Sequence, residues 1–133
     1  MTGEVELVAL GERFACDMHR GLLELARLGY DATLFRQMLD KHGAVEAARR
    51  LVLAKDPSYG LCKLKTLGRL DMSVEMWVLL PWYGPLFGPE VREQAERKLR
   101  LLEVDLEPEL HNLIHREDPT SGGDNGVAAA ADQ

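Results

Sequence analysis

The sequence predicts an all-α protein: a compact bundle of about six to seven short helices over residues 1–116, followed by a disordered acidic Gly/Ala tail over residues 117–133. Three observations carry this reading. Apolar residues recur at spacings of three and four through most of the chain. Glycine, proline or a capping side chain interrupts them at intervals of one short helix. No stretch alternates apolar and polar residues with period two, and no Asn-Gly pair sits between such runs.

The first amphipathic helix spans about residues 4–28, with Val5, Leu7, Val8, Leu10, Phe14, Met18, Leu22 and Leu25 among its apolar positions and Gly11 and Gly21 as weak points. Gly29 stops it by accepting the left-handed conformation, and Asp31 is expected to cap a second helix running to about His42. Gly43 repeats the stop. A third helix then covers Ala44 to Ala54, with Val45, Ala48, Leu51 and Val52 inward and Glu46, Arg49 and Arg50 outward. Asp56-Pro57-Ser58 is a break and restart, because proline disfavours helical geometry before it and Asp or Ser can cap the next helix. Leu61, Leu64 and Leu67 line the fourth helix up to Gly68.

Asp71 or Ser73 opens a fifth helix, Val74 to Leu80, which is apolar nearly all round and therefore belongs at the buried centre. Pro81 ends it. The loop Trp82-Tyr83-Gly84-Pro85-Leu86-Phe87-Gly88 concentrates aromatic rings, either folded in as a lid over Trp77 or partly exposed as an anchor for another protein. Pro89 suits the first position of a charged sixth helix reaching about Val104, and a seventh runs from Pro108 to about Arg116. After Asp118 the only large apolar residue is Val127, too little to recover the entropy of ordering the tail.

With 133 residues, 46% hydrophobic and 29% charged, the chain encloses one sizeable core. The formal charge of −6 is uneven: net −2 over residues 1–30, +4 over 31–70, and −4 over each of 71–116 and 117–133. That total argues against coating nucleic acid by bulk charge, while the basic middle permits a local anionic contact. No apolar run is long enough for a membrane helix, and the N-terminus lacks the basic flank and apolar stretch of a signal peptide, so a cytoplasmic protein is expected. Cys16 and Cys62 lie within helical patterns and are expected to be buried free thiols.

Few residues arrange themselves for chemistry. His111 and His115, four apart on a helix, have the spacing of a zinc-binding pair; Asn112 stands where the metalloprotease motif has its glutamate, and a third ligand such as Glu107 is needed. Two exposed histidines are the plainer reading. Cys16 and His19 are three apart, but a thiol on an apolar helical face reads as core rather than as half of an activated pair. Ser58, Ser73 and Ser121 sit in no Gly-x-Ser-x-Gly, and neither phosphate-binding glycine loop is present. No catalytic residue, resident metal or cofactor is therefore expected.

The basic middle admits a DNA-associated regulator, since Gly43 joins two helices like a helix-turn-helix and Arg49, Arg50, Lys55, Lys63, Lys65 and Arg69 are candidate phosphate or base contacts. Glu46, early in the would-be recognition helix, opposes it. Gly43-Ala44-Val45-x-Ala47-Ala48-Arg49, Pro57-Ser58-Tyr59-Gly60-Leu61, Leu67-Gly68-Arg69-Leu70-Asp71 and Pro85-Leu86-Phe87 resemble a small helical module of uncharacterised bacterial proteins, found alone or appended to larger chains. The resemblance covers about half the chain and implies an architectural unit of accessory or regulatory type, with no catalytic residues. The leading expectation is a non-enzymatic intracellular module binding another protein or a second copy of itself. Its candidate contacts are the first helix, Arg49, Arg50, Lys63, Lys65, Arg69, Trp82, Tyr83 and Phe87. DNA regulation through the Gly43 pair comes second, and a metal-dependent enzyme using His111 and His115 third.

Overall fold

A computed structural model describes residues 2–55 and 59–118, and every regular element in them is helical. The helices are α1 (Thr2–Arg27), α2 (Thr33–His42), α3 (Ala44–Leu53), α4 (Tyr59–Thr66), α5 (Val74–Trp77), α6 (Pro89–Leu101) and α7 (Leu106–Glu117), with 3-10 turns at Leu70–Met72 and Pro81–Leu86. The expected cap at Asp56 or Ser58 and the tail beyond Asp118 lie outside the described residues. No helix among the described residues is long and apolar enough to cross a membrane.

α1 runs unbroken through Gly11 and Gly21. It ends as its glycine predicts: the Tyr30 N–H donates to the Leu25 carbonyl at 2.9 Å and the Gly29 N–H to Ala26 at 3.0 Å, the paired bonds of a left-handed cap. The same pair closes α6, where Val104 N–H reaches Leu99 and Glu103 N–H reaches Arg100, but Glu103 occupies the left-handed position at φ 60°. A Cβ there crowds the following carbonyl, so Glu103→Gly is expected to raise the urea midpoint, by up to about 1 kcal/mol of stability.

Gly43 serves both α2 and α3 in a conformation open only to glycine, φ 82° and ψ 164°. Its N–H donates to Leu39 and its carbonyl accepts from Ala47, so one residue ends a helix and starts the next. Space is not the constraint, because nothing lies within 4 Å of an added Cβ. Backbone strain alone is expected to make Gly43→Ala cost about 1–3 kcal/mol in equilibrium unfolding.

Several local expectations are corrected. Asp31 does not cap α2: Ala32 is the first flanking residue, and the Asp31 carboxylate instead pairs with Arg36 at 2.9 Å. Ser73, rather than Asp71, caps α5 by accepting the Met76 N–H at 3.1 Å, yet that helix keeps only Val74–Trp77 before relaxing into turns. Cys16 and Cys62 are exposed, because Phe14 and Met18 take the inner face of α1 and Leu61 and Leu64 that of α4. Val5, Leu7 and Val8 are also exposed, on the first turns of α1 that project beyond the core.

The segment from Ser73 to Leu80 is buried throughout and forms the hub. α3 lies against α1, α5 and α6, with Ala44, Ala47 and Ala48 buried at its close approaches. α7 packs on α6 and on the Leu70–Met72 turn. The aromatic loop closes one side of the hub. Phe14 of α1 meets Tyr83 and Phe87 edge-on, with centroids at 5.0 and 5.1 Å.

Candidate functional site

The C-terminal half of α1, the start of α2 and the first two turns of α4 do not fully meet over the hub. They leave a cleft of about 360 Å³. Its walls are apolar: Met18, Leu22 and Leu25 from α1, Leu34 and Phe35 from α2, Leu51 from α3, Leu61 and Leu64 from α4, and Met72, Val74 and Trp77 from the hub. Leu34 and Tyr59, among the most exposed large hydrophobic residues at 69% and 77%, belong to the same lining. A cavity of this size with mostly apolar walls is the usual form of a binding site.

A network of ion pairs borders the apolar walls on the side of α1, the Leu70–Met72 turn and α7. Arg20 reaches Asp17 at 3.0 Å and Glu117 at 3.4 Å; Arg69 holds Asp71 through two bonds at 3.0 and 3.2 Å; Arg116 reaches Asp71 and Glu117, each at 3.0 Å. The network ties the end of α7 to α1 and to the Leu70–Met72 turn. Burial raises the Asp71 carboxyl, but hydrogen bonds from Arg69 and Arg116 outweigh that and hold it below its ordinary value. The Leu67-Gly68-Arg69-Leu70-Asp71 motif is thereby explained as a corner: Gly68 ends α4, Leu70 is buried, and the Asp71 carbonyl accepts the Trp77 indole N–H at 2.8 Å.

Two buried charged residues were not singled out by sequence reasoning, and one of them borders the cleft. Glu75 and Lys98 have side chains only 2% and 0% exposed, with Lys98 Nζ 3.9 Å from Glu75 Oε2. Lys98 crosses from α6 and donates to the Leu51 carbonyl at 2.9 Å, while Glu75 Oε2 has no hydrogen-bond partner among the described residues. Glu75 is part of the cleft lining. Each had a signal in the sequence. Glu75 is the one charged residue between Ser73 and Gly88, and Lys98 falls on the stripe of Val91, Ala95 and Leu99 that α6 turns inward.

Burial drives the Glu75 carboxyl above its ordinary value; a hydrogen bond from its own backbone and the nearby Lys98 pull it down without cancelling the rise. The folded protein therefore keeps this proton over a window, opening near 4.5, in which the unfolded chain has released it. Stability from this group falls as pH rises through that window and levels off above the folded value. Asp71 has the opposite sign, losing its contribution as pH falls. Glu75→Gln is expected to remove the downward slope above 4.5 from urea midpoints measured against pH.

The expected basic contacts are dispersed over the surface. Arg49 and Arg50 are exposed on α3 and both bond Glu46, at 3.1 and 2.8 Å; these bonds, Arg49 first, hold the Glu46 carboxyl down at about 2. Lys65 donates to the Leu102 carbonyl at the end of α6, and Arg69 is engaged by Asp71. Lys63 is half-buried on α4 and Lys55 exposed after α3. Of this group, only Arg69 lines the cleft.

Tyr83 and Phe87 are buried in the core, Tyr83 donating to the Asp17 carboxylate, and Trp82 is half-buried with the Arg13 guanidinium 5.8 Å above its ring. Tyr83 and Phe87 are thus folded into the core, while Trp82 keeps part of its ring at the surface. His111 and His115 are exposed on α7, and among the described residues no group of three or more His, Cys, Asp or Glu is placed to hold a metal ion.

The fold and cleft define a small all-α protein with an apolar-walled site open to the surface and the buried Glu75 among the residues that line it. Comparison of the chain with protein-family models, with curated proteins and with solved structures finds no match.

Proposed function

We propose that the protein is a non-enzymatic accessory module that binds another protein, receiving an apolar side chain of that partner in the cleft between α1, α2 and α4. The observation that carries this reading is the cleft itself, walled by apolar side chains and flanked by the exposed Leu34 and Tyr59. Its surroundings support it. The rim arginines already have carboxylate partners, so the site offers an anionic ligand little unspent positive charge, while a desolvated apolar pocket bordered by polar contacts is how interface hot spots are built. The arginines of α3 do not favour the DNA reading, because Glu46 lies between them as a fixed anion.

A photo-crosslinking residue placed at Leu34 or at Leu101 tests the proposal in cells that naturally make the protein. Both positions are exposed, but only Leu34 lines the cleft. One discrete adduct from position 34, absent from 101 and lost on adding Tyr59→Asp, is the expected result. No adduct at 34, or the same adduct from both positions, overturns it.

A further inference from the structure

We infer that the outer face of α1 pairs antiparallel with α1 of a second copy of this chain, giving a two-fold dimer. This surface is separate from the docking cleft proposed above and does not depend on it. α1 turns Phe14, Met18 and Leu25 into the core. On its opposite face Val5, Ala9, Cys16, Leu23 and Ala26 are all exposed, with the equally exposed Glu12 and His19 between them, and none of these residues lines the cleft. From Val5 to Ala26 the spacing alternates four and three, the repeat that keeps one seam of a helix against a partner helix. At 1.5 Å per residue the seam is about 32 Å long. Its two large apolar residues, Val5 and Leu23, are 70% and 69% exposed, while Ala9, Cys16 and Ala26 are small enough for a second backbone to come close.

Glu12 and His19 decide both the occupant and its direction. Neither makes an ion pair or a hydrogen bond among the described residues. In a parallel pair each would meet its own counterpart, setting carboxylate against carboxylate. An antiparallel pair with its two-fold axis at the middle of the seam puts Glu12 of each copy beside His19 of the other, where an imidazole N–H donates to the carboxylate in either protonation state. The same register sets Val5 against Ala26 and Leu23 against Ala9, large against small, and brings Cys16 to the axis beside its counterpart. The seam therefore matches itself in charge and in side-chain size when turned end for end, which is the self-complementarity of a two-fold interface. A different partner protein requires neither match.

The test follows the full-length protein by sedimentation velocity over a concentration series, with helicity checked by circular dichroism. A reversible monomer–dimer equilibrium is expected. Glu12→Lys, at an exposed position, is expected to weaken the dimer by about tenfold or more, because it sets a cation beside His19 and removes the acceptor. Adding His19→Glu is expected to restore the dimer by exchanging the two charges. Leu101→Lys, exposed on α6, is expected to change nothing. In a Cys62→Ser background a short bismaleimide is expected to join Cys16 of the two copies, and Cys16→Ser with Cys62 retained to give no product.

A monomer at every concentration overturns the proposal. A dimer indifferent to Glu12→Lys, or weakened by it and not restored by His19→Glu, overturns the antiparallel register, since a parallel pair gains nothing from the exchange. Cross-linking through Cys62 and not Cys16 puts the interface elsewhere and overturns it as well. The Leu34 adduct reads the cleft alone, so either reading can fail while the other stands.

Discussion

Lys98→Met alone is expected to destabilise the protein by about 3–5 kcal/mol, because it removes the partner of a carboxyl whose side chain is only 2% exposed. The Leu51 carbonyl loses its donor in the same step. Adding Glu75→Leu is expected to recover most of the loss: with both charges gone the site becomes an ordinary apolar contact between α5 and α6, and desolvation no longer opposes folding. Urea unfolding of the two single variants and the double variant measures the coupling directly. A double variant as unstable as the worse single would show that Lys98 acts through the Leu51 carbonyl and not through Glu75. The pair stands where α3, α5 and α6 meet, so its geometry depends on all three helices being docked.

Phe14→Ala is the second large effect. Phe14 is fully buried and meets two aromatic rings edge-on, so its removal takes away transfer energy, leaves a cavity and breaks both ring contacts. The expected cost is about 3–5 kcal/mol, set against the roughly 5–15 kcal/mol that holds a typical domain together. Phe14→Leu, which keeps most of the volume, is expected to lose markedly less. Cavity collapse around Tyr83 would reduce the alanine effect, but its hydroxyl is fixed to Asp17 one turn along α1, which limits that relaxation. A loss below about 1 kcal/mol for Phe14→Ala, read from urea midpoints, would contradict this picture of the lid.

Much of the fold is legible in the sequence because its signals are local. A glycine with positive φ ends α1, α2 or α4 whatever lies nearby, and Ser73 caps α5 through a bond to its own third neighbour. The apolar run from Val74 to Leu80 reads as central and is buried throughout. Where the expectation failed, the deciding force came from elsewhere in the chain. Cys16 and Cys62 are exposed because neighbouring side chains on the same helices claim the inward positions. Asp31 leaves the cap for Arg36, and α5 stops after four residues in a segment that packs on α3, α6 and the Leu70–Met72 turn.

The candidate site was less legible than the fold. Periodicity assigns Leu22, Phe35, Leu64 and Trp77 to the inside equally, with no mark showing that they border a space instead of one another. Arg69 was singled out for its charge, yet its meaning lies in the Asp71 and Arg116 contacts that build the rim. The sequence by itself determined the helices, most of their ends and a buried hub, since each follows from spacing, capping and backbone freedom within a few residues. Only the tertiary structure decided where the packing leaves a cleft, which arginines are already matched, and that Glu75 and Lys98 share one dry site. Those properties depend on distances between residues far apart in the chain, which no local pattern encodes.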